Sequence, residues 1–282
     1  MIAQAVPVNR EPSRKAPRKK LNFFGRKSPL IDMAQLAALL GVIGWLIYSG
    51  AMEMNYNWQW YRVGQFVYRV VDGEFIPGPL LRGLGVTLEL TAYSMGLTLG
   101  IGLVTALLRR SDSYSGKVVA TVYLEAVRNT PLLVQLFLFY FVLGPIIGID
   151  RFWVGVLGLA FYEGSFASEI IRAGLQSVSR GQIEAANAIG FTPADRFRYI
   201  ILPQAISLIL PPMTGLIISL IKNSAIVSVI AVADMTTAGL NIISDTFMAF
   251  EIWFTVAAIY LVITVSLSFF VSWLEYRARR GM

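Results

Sequence analysis

The chain has 282 residues, 56% of them hydrophobic, a positive mean hydropathy, a net charge of +7, and neither cysteine nor histidine. It is too apolar for an ordinary soluble domain, and it lacks thiol nucleophiles, disulfides and the usual zinc and haem ligands, so no catalytic residue and no metal site is expected. Its basic residues lie beside apolar runs, where they set membrane topology, which makes membrane lipid rather than nucleic acid the expected partner.

Residues 1–32 carry eight Lys or Arg, interrupted by Pro7, Pro12 and Pro17, and read as a disordered basic arm. The apolar run Met33–Met52 follows, and about 20 such residues cross the roughly 30 Å hydrocarbon core. A signal peptide is the rival reading, but the run is longer than a usual signal core and no small-x-small cleavage site follows it. Over 53–82 the chain turns polar and aromatic, with Tyr56, Trp58, Trp60 and Tyr61 suited to the outer membrane–water interface; a small amphipathic anchoring helix fits equally.

Further apolar runs at Gly83–Leu108, Val118–Ile149 with a proline break, Phe152–Ile171, Ile206–Val232 and Ala249–Trp273 complete six expected crossings. Placing the N-terminus inside puts the arm, Arg109, Arg110, Lys117, the 172–207 loop and Arg277, Arg279 and Arg280 in the cytoplasm. Eighteen basic residues then lie inside against four outside, Arg62, Arg69, Arg82 and Arg151. The expectation is an all-α, multi-pass membrane protein with both termini cytoplasmic and a basic tail over 276–282.

The most polar long interval between these runs is Glu184–Pro203 and its lead-in. Ser179 with Gln182 reads as a capping box, Val178 with Ile183 as its hydrophobic staple, and Gly190 as the stop of a short helix. Thr192 then caps a second helix with Pro193 at its first position and Asp195 near its exposed amides, and Pro203 is expected to close it. Ala185, Ala186 and Ala188 keep the first helix slim enough for another surface to approach. Taken alone, these signals also describe an ordinary well-capped surface hairpin.

Glu-Ala-Ala, three residues, Gly, nine residues, Ile, one residue, Leu-Pro resembles the EAA loop of ABC importer permeases, matched here by Glu184, Ala185, Ala186, Gly190, Ile200, Leu202 and Pro203. YLEAVRNTPLLVQLFLFY from Tyr123, FASEIIRAGLQSVSRGQ from Phe166 and KNSAIVSVI from Lys222 are similar to the polar amino acid subfamily of these permeases, so that the likeness spans about residues 83–275. The resemblance implies a type I ABC importer permease fold in a bacterial inner membrane, with a coupling helix in the 179–203 loop docking on a separate ABC ATPase subunit. It also implies a second permease, either another copy or a sister subunit, and an extracytoplasmic amino acid-binding protein that delivers an amino acid. ATP and Mg would be bound by the ATPase, leaving no cofactor in this chain; no Gly-rich phosphate loop ending in Lys-Ser or Lys-Thr is present.

Ionisable groups inside spans are candidate pathway residues, because a charge at the bilayer centre costs on the order of 3 kcal/mol. Glu163 lies near the middle of its run without a partner at helical spacing; it would accept a substrate ammonium or contact Arg128 or Lys222 on another helix. Glu169 sits three residues before Arg172, a spacing that suits an ion pair as well as a ligand role. Arg128, Asn129, Thr130 and Pro131 interrupt the third run, as a kink near the pathway or a purely structural one. Lys222, Asn223 and Ser224 break the fifth run and suit an outer gate or carboxylate recognition, while Lys222 could instead snorkel to the interface. An ion-coupled secondary transporter or channel using Glu163 and Lys222, or a membrane scaffold recruiting a cytoplasmic protein, are the alternatives.

Overall fold

A computed structural model describes residues 29–54 and 56–280, which leaves nearly all of the basic arm outside the described residues. Two compact units are resolved, dividing after Asn57. The first contains α1 (Pro29–Glu53), a helix apolar on all sides that begins four residues before the expected run. A helix of this kind with Leu36, Leu39, Leu40, Trp45 and Leu46 exposed is what a lipid-facing span requires.

The second unit opens with a 3-10 turn (Trp60–Arg62), α2 (Gly64–Val67) and an antiparallel hairpin of β1 (Tyr68–Val71) and β2 (Glu74–Pro77). Tyr68 pairs with Pro77 and Val71 with Glu74, around an Asp72-Gly73 turn in which both residues have positive φ. Asp-Gly between β-branched and aromatic residues is a two-residue hairpin signal, so the segment is a ribbon rather than an amphipathic helix.

The helical body follows. α3 (Pro79–Arg110) is joined by a short turn to α4 (Tyr114–Arg128), which Ser113 caps by accepting from the Gly116 N–H. α5 (Leu132–Leu138) widens into a π-helical stretch (Phe139–Leu143) and then α6 (Gly144–Ile147). Asp150 caps α7 (Arg151–Gln176), accepting from Phe152 N at 2.7 Å and Trp153 N at 3.2 Å. Next come α8 (Arg180–Ala188), α9 (Pro193–Arg196), a π-helical segment (Phe197–Ile201) and α10 (Leu202–Ser224), which tightens into a 3-10 stretch (Ala225–Ile230). α11 (Met235–Thr246) and α12 (Ala249–Arg280) complete the chain, and the residues of the expected tail up to Arg280 continue α12.

Among the described residues, five helical stretches are long and apolar enough to cross a membrane: Ile31–Glu53, Pro79–Arg110, Arg151–Gln176, Pro193–Ile230 and Ala249–Trp273. A sixth results if α4 and the helix from Leu132 to Ile147 count as one span, but the pair is bent by 111°. The bend sits where Asn129 ends α4 and Pro131 starts α5, because a proline and the residue before it leave the α region. α11 was not foreseen: Thr236, Thr237, Asn241, Ser244 and Asp245 dilute its apolar pattern below that of a span.

α3 and α7 form the central pair. Gly102 lets α3 approach Ala167, since a Cβ there would lie 2.7 Å from the alanine's own, and Ser94 Oγ donates to the Val156 carbonyl at 3.3 Å. One buried cluster joins Leu90, Leu136, Leu159, Leu220 and Val227, and a second joins Ala167, Leu175, Ile201 and Met213 nearer the α8 end of the bundle. A third, Leu80, Met235, Met248 and Ile252, seats α11 against α3 and α12 at the opposite end.

Candidate functional site

α8 projects from the end of α7 as a nearly isolated helix. Ala186 is its only buried residue, tucked at 3% exposure, whereas Glu184, Ala185 and Ala188 are exposed and Ile189 beyond them is 72% exposed. Gly190 turns the chain with φ +85 and open space around it, so the requirement there is backbone geometry and not room. Thr192 caps α9, its Oγ1 accepting from Asp195 N at 3.2 Å, and Arg196 returns to the Asn187 side chain, holding the two short helices as a hairpin. Val178 is buried in the cluster against which Ile183 packs, as a staple requires.

Two expectations for this loop fail. Ser179 stands at the N-cap but makes no side-chain cap bond, and the Gln182 carboxamide, the other half of the box, accepts from Gln204 of α10 instead. Pro203 does not close the second helix either. Helical backbone runs from Pro193 to Ile230, and the π-helical Phe197–Ile201 stretch, with its wider turn, leads into the proline at the start of α10 without a break. The loop is therefore continuous with a membrane-spanning helix: Ile200 and Leu202 are partly buried in this transition, and Pro203 is exposed.

The charged candidates separate into two groups. Glu169 pairs with Arg172 at 2.6 Å as its spacing foretold, and also with Arg109 of α3, while Arg128 of α4 lies 3.7 Å away. Glu169, Arg109 and Arg128, with Thr121, Glu125 and Asn129, line a polar cavity of about 400 Å³. Asn129 donates to Glu125 Oε2 at 2.9 Å, so the bend itself places a carboxylate and an amide at the cavity wall. Arg128 also lies over the Phe166 ring, 5.6 Å from its centroid. Arg109 closes a helix by sequence and looks like a topology charge; nothing local reveals that it reaches Glu169 on α7.

Glu163 belongs to the other group. It is 2% exposed and accepts from Asn223 Nδ2 at 2.7 Å, so its interhelical contact is with Asn223 rather than Arg128 or Lys222. Ser224 is fully buried and donates to the Ile221 carbonyl, whereas Lys222 points outward and is exposed. Three further acidic residues escaped the sequence reading: Asp234 and Glu251, both fully buried, and Glu89, exposed on α3. Asp234 caps α11 through Thr236 N at 3.2 Å and Thr237 N at 2.9 Å, and Glu251 accepts from Gln59 N at 2.6 Å.

Comparison with known proteins gives this arrangement a family. The model described as "Binding-protein-dependent transport system inner membrane component" matches residues 96–280. The probable glutamine ABC transporter permease protein GlnM of Bacillus subtilis is 38% identical over 197 residues, 69% of this chain and 91% of that protein. The glutamine transport system permease protein GlnP of Escherichia coli K12 is 36% identical over 203 residues, covering 71% and 93%. Among solved structures, an amino acid ABC transporter crystallised with histidines superposes with a TM-score of 0.66 at 43% identity, covering 71% of this chain and 94% of that one. The inward-facing MetNI methionine transporter shares the fold with a TM-score of 0.62 at 20% identity. With two thirds of its length matched and the relatives covered almost end to end, the chain belongs to the binding-protein-dependent transport system inner membrane components, as a multi-pass permease subunit of the ABC importer type.

Proposed function

We propose that this permease carries a polar amino acid inward, receiving it from an extracytoplasmic binding protein and drawing energy from a separate ATPase subunit docked on α8. The observation that carries the coupling role is the α8 hairpin. Its outer face, Glu184, Ala185, Ala188 and Ile189, is exposed among the described residues, and its base is fused to the Pro193–Ile230 helix. A slim exposed helix with one large apolar residue suits a groove in another protein, which is helix-in-groove recognition. Gly190, Ile200, Leu202 and Pro203 set the geometry of that fusion. ATP and Mg are bound by the partner, and both termini lie with the loop in the cytoplasm, as the basic-residue bias supports.

The substrate class is supported by the relatives, whose names include glutamine and arginine transport, and by the cavity at Arg109, Arg128 and Glu169. An amino acid zwitterion needs a cation for its carboxylate and an anion for its ammonium. Both are present in a space of about 400 Å³, within the range of small-molecule sites. Glu163 and Asn223 come within reach of the route once α7 and α10 part.

The test is purification from native membranes in mild detergent, followed by ATPase assays with the binding protein and a panel of amino acids. Co-purification of an ATPase whose hydrolysis rises with liganded binding protein, and its loss in Ile189→Asp at equal membrane level, is the expected result. A chain that repeatedly comes alone and moves solute without ATP would overturn the reading.

A further inference from the structure

α3 and α4 enclose a second space, unlike the polar cavity at Glu169: an apolar groove of about 470 Å³. Gly96 and Gly100 of α3 lie along it, with Ile101 and Leu108 of the same helix on one side and Val119 and Tyr123 of α4 on the other. A Cβ at Gly96 or Gly100 would meet nothing within 4 Å, so these glycines leave open space and make no helix contact within the chain. The Tyr123 hydroxyl donates to the Phe161 carbonyl at 2.6 Å, and its ring meets the Phe161 ring edge-on with centroids 4.9 Å apart. The phenol is thus satisfied inside the protein and needs no water in the groove. Gly96 to Leu108 is twelve residues, about 18 Å at roughly 1.5 Å per residue. One leaflet of the hydrocarbon core is about 15 Å deep, so the groove has the length of a single acyl chain.

One end of the groove is polar. α3 finishes at Arg110, two residues past Leu108, and Lys117 stands two residues before Val119, both of them exposed. Among the described residues every ion pair is made by Glu169, with Arg109, Arg128 and Arg172, so Arg110 and Lys117 have none. Asp112 is the one acid between them, which leaves this end with an excess of positive charge. Unpaired cations at the mouth of an apolar groove are complementary to a lipid with an anionic headgroup, the acyl chain matching the groove and the phosphate the cations. A helix of another protein would match the groove alone.

We propose that an anionic glycerophospholipid occupies this groove, one acyl chain lying over Gly96 and Gly100 and its phosphate held by Arg110 and Lys117. Arg109, beside Arg110, pairs with Glu169 near the end of α7 from which α8 departs, so the headgroup lies at the α8 end of the bundle. On the topology proposed above that is the cytoplasmic leaflet; only the choice of leaflet rests on that topology. α4 is a wall of both spaces. Val119 and Tyr123 line the groove, whereas Glu125 and Arg128 line the polar cavity, so the bound lipid supports α4 on the side away from the cavity.

The test titrates the purified full chain, stripped of native lipid in mild detergent, with palmitoyl-oleoyl phosphatidylglycerol or with phosphatidylcholine of the same acyl chains. Native mass spectrometry counts the lipid retained. The expected result is one phosphatidylglycerol per chain, held about tenfold more tightly than phosphatidylcholine. Gly100→Leu fills the groove without a clash at its Cβ and should lose both lipids. Arg110→Gln combined with Lys117→Gln keeps the groove and should bind the two lipids equally. These two positions are exposed, so the combined variant reads the charge preference however the glycine variant folds. Equal retention of both lipids by the parent, or undiminished phosphatidylglycerol on Gly100→Leu, overturns the proposal.

Crosslinking distinguishes a protein occupant. The chain has no cysteine, so Gly100→Cys introduces a single thiol. Treated in membranes with a short bis-maleimide, it should stay monomeric, because lipid surrounds the thiol. A crosslink to a second copy or to another polypeptide would assign the groove to protein and overturn the lipid site.

Discussion

Asn223 on α10 donates to Glu163 on α7 at 2.7 Å, inside a contact where Glu163 is only 2% exposed. The Asn223 amide thus helps hold the carboxylate that the sequence places in mid-span, with Ser219 beside it. Replacing Asn223 with Leu leaves that carboxylate buried without its amide donor, a loss of about 2 kcal/mol for a hydrogen bond to a charged group. Glu163→Gln keeps an acceptor at the same place and is expected to melt within about 1 kcal/mol of the parent. Thermal melts in detergent compare the two. Equal losses would mean that packing of the side chains, not the bond, matters there.

Three guanidinium groups converge on Glu169, from Arg109, Arg128 and Arg172. Glu169→Gln leaves them without their shared carboxylate, and a loss of about 1–3 kcal/mol is expected after discounting for partial exposure. The deficit should shrink as salt is raised, because added ions screen like charges. A melting temperature unmoved by the substitution, at low and high salt alike, would show that the arginines rearrange into water at no cost.

A Cβ on Gly83 would lie 2.7 Å from the Asp234 carbonyl oxygen and 2.8 Å from the Met235 Cα, both backbone atoms with no rotamer to yield. Gly83→Ala must therefore push α11 away from α3 and weaken the Thr87 hydroxyl's bond from Met235 N, now 3.1 Å. Overpacking of this kind costs about 1–3 kcal/mol. Gly44→Ala, on α1 with nothing within 4 Å, is the control and should be silent. Proteolysis near residues 231–248 reports the displacement directly; equal protection in both variants would show that the gap closes by other means.

Asp234 lies in the turn between Ile230 and Met235, outside the spans, and its burial pushes its carboxyl above the ordinary aspartate value while the bonds from Thr236 and Thr237 pull it back. A group whose folded value is raised contributes stability that is complete below its unfolded value and lost as pH rises through the folded one. Stability should thus fall with pH above about 4, the ordinary aspartate range, and level off beyond the raised value. Asp234→Asn, which still caps a helix, should flatten that dependence, whereas Asp234→Ala should cost about 1–2 kcal/mol at every pH. Parallel melting curves for parent and Asp234→Asn across this range would contradict the assignment.

What the sequence made legible was local. Gly190, Thr192 and the Glu169–Arg172 spacing act through residues three or four positions away, and the structure keeps all three. Pro131 likewise announces the bend between α4 and α5. Longer relationships were hidden: Gln182 left its capping role for Gln204, and Arg109 crossed from α3 to α7, choices made by tertiary neighbours. α11 and the 68–77 hairpin were lost for another reason. α11 is too short and too polar to stand out beside spans of more than twenty apolar residues, and the Asp72-Gly73 signal of the hairpin was masked by the interfacial aromatics around it.

Pro203 marks no boundary, and the helix through it has a mechanical consequence. Helical backbone runs from Pro193, at the α8 hairpin, to Ile230. Pro193 to Asn223 is thirty residues, about 45 Å at roughly 1.5 Å per residue. A tilt of about 5° about its Pro193 end would sweep Asn223 through about 4 Å, more than a hydrogen bond spans. If the turn is carried through Pro211 and Pro212 of α10, the helix acts as a lever, and a small rotation imposed at α8 is enough to pull Asn223 away from Glu163.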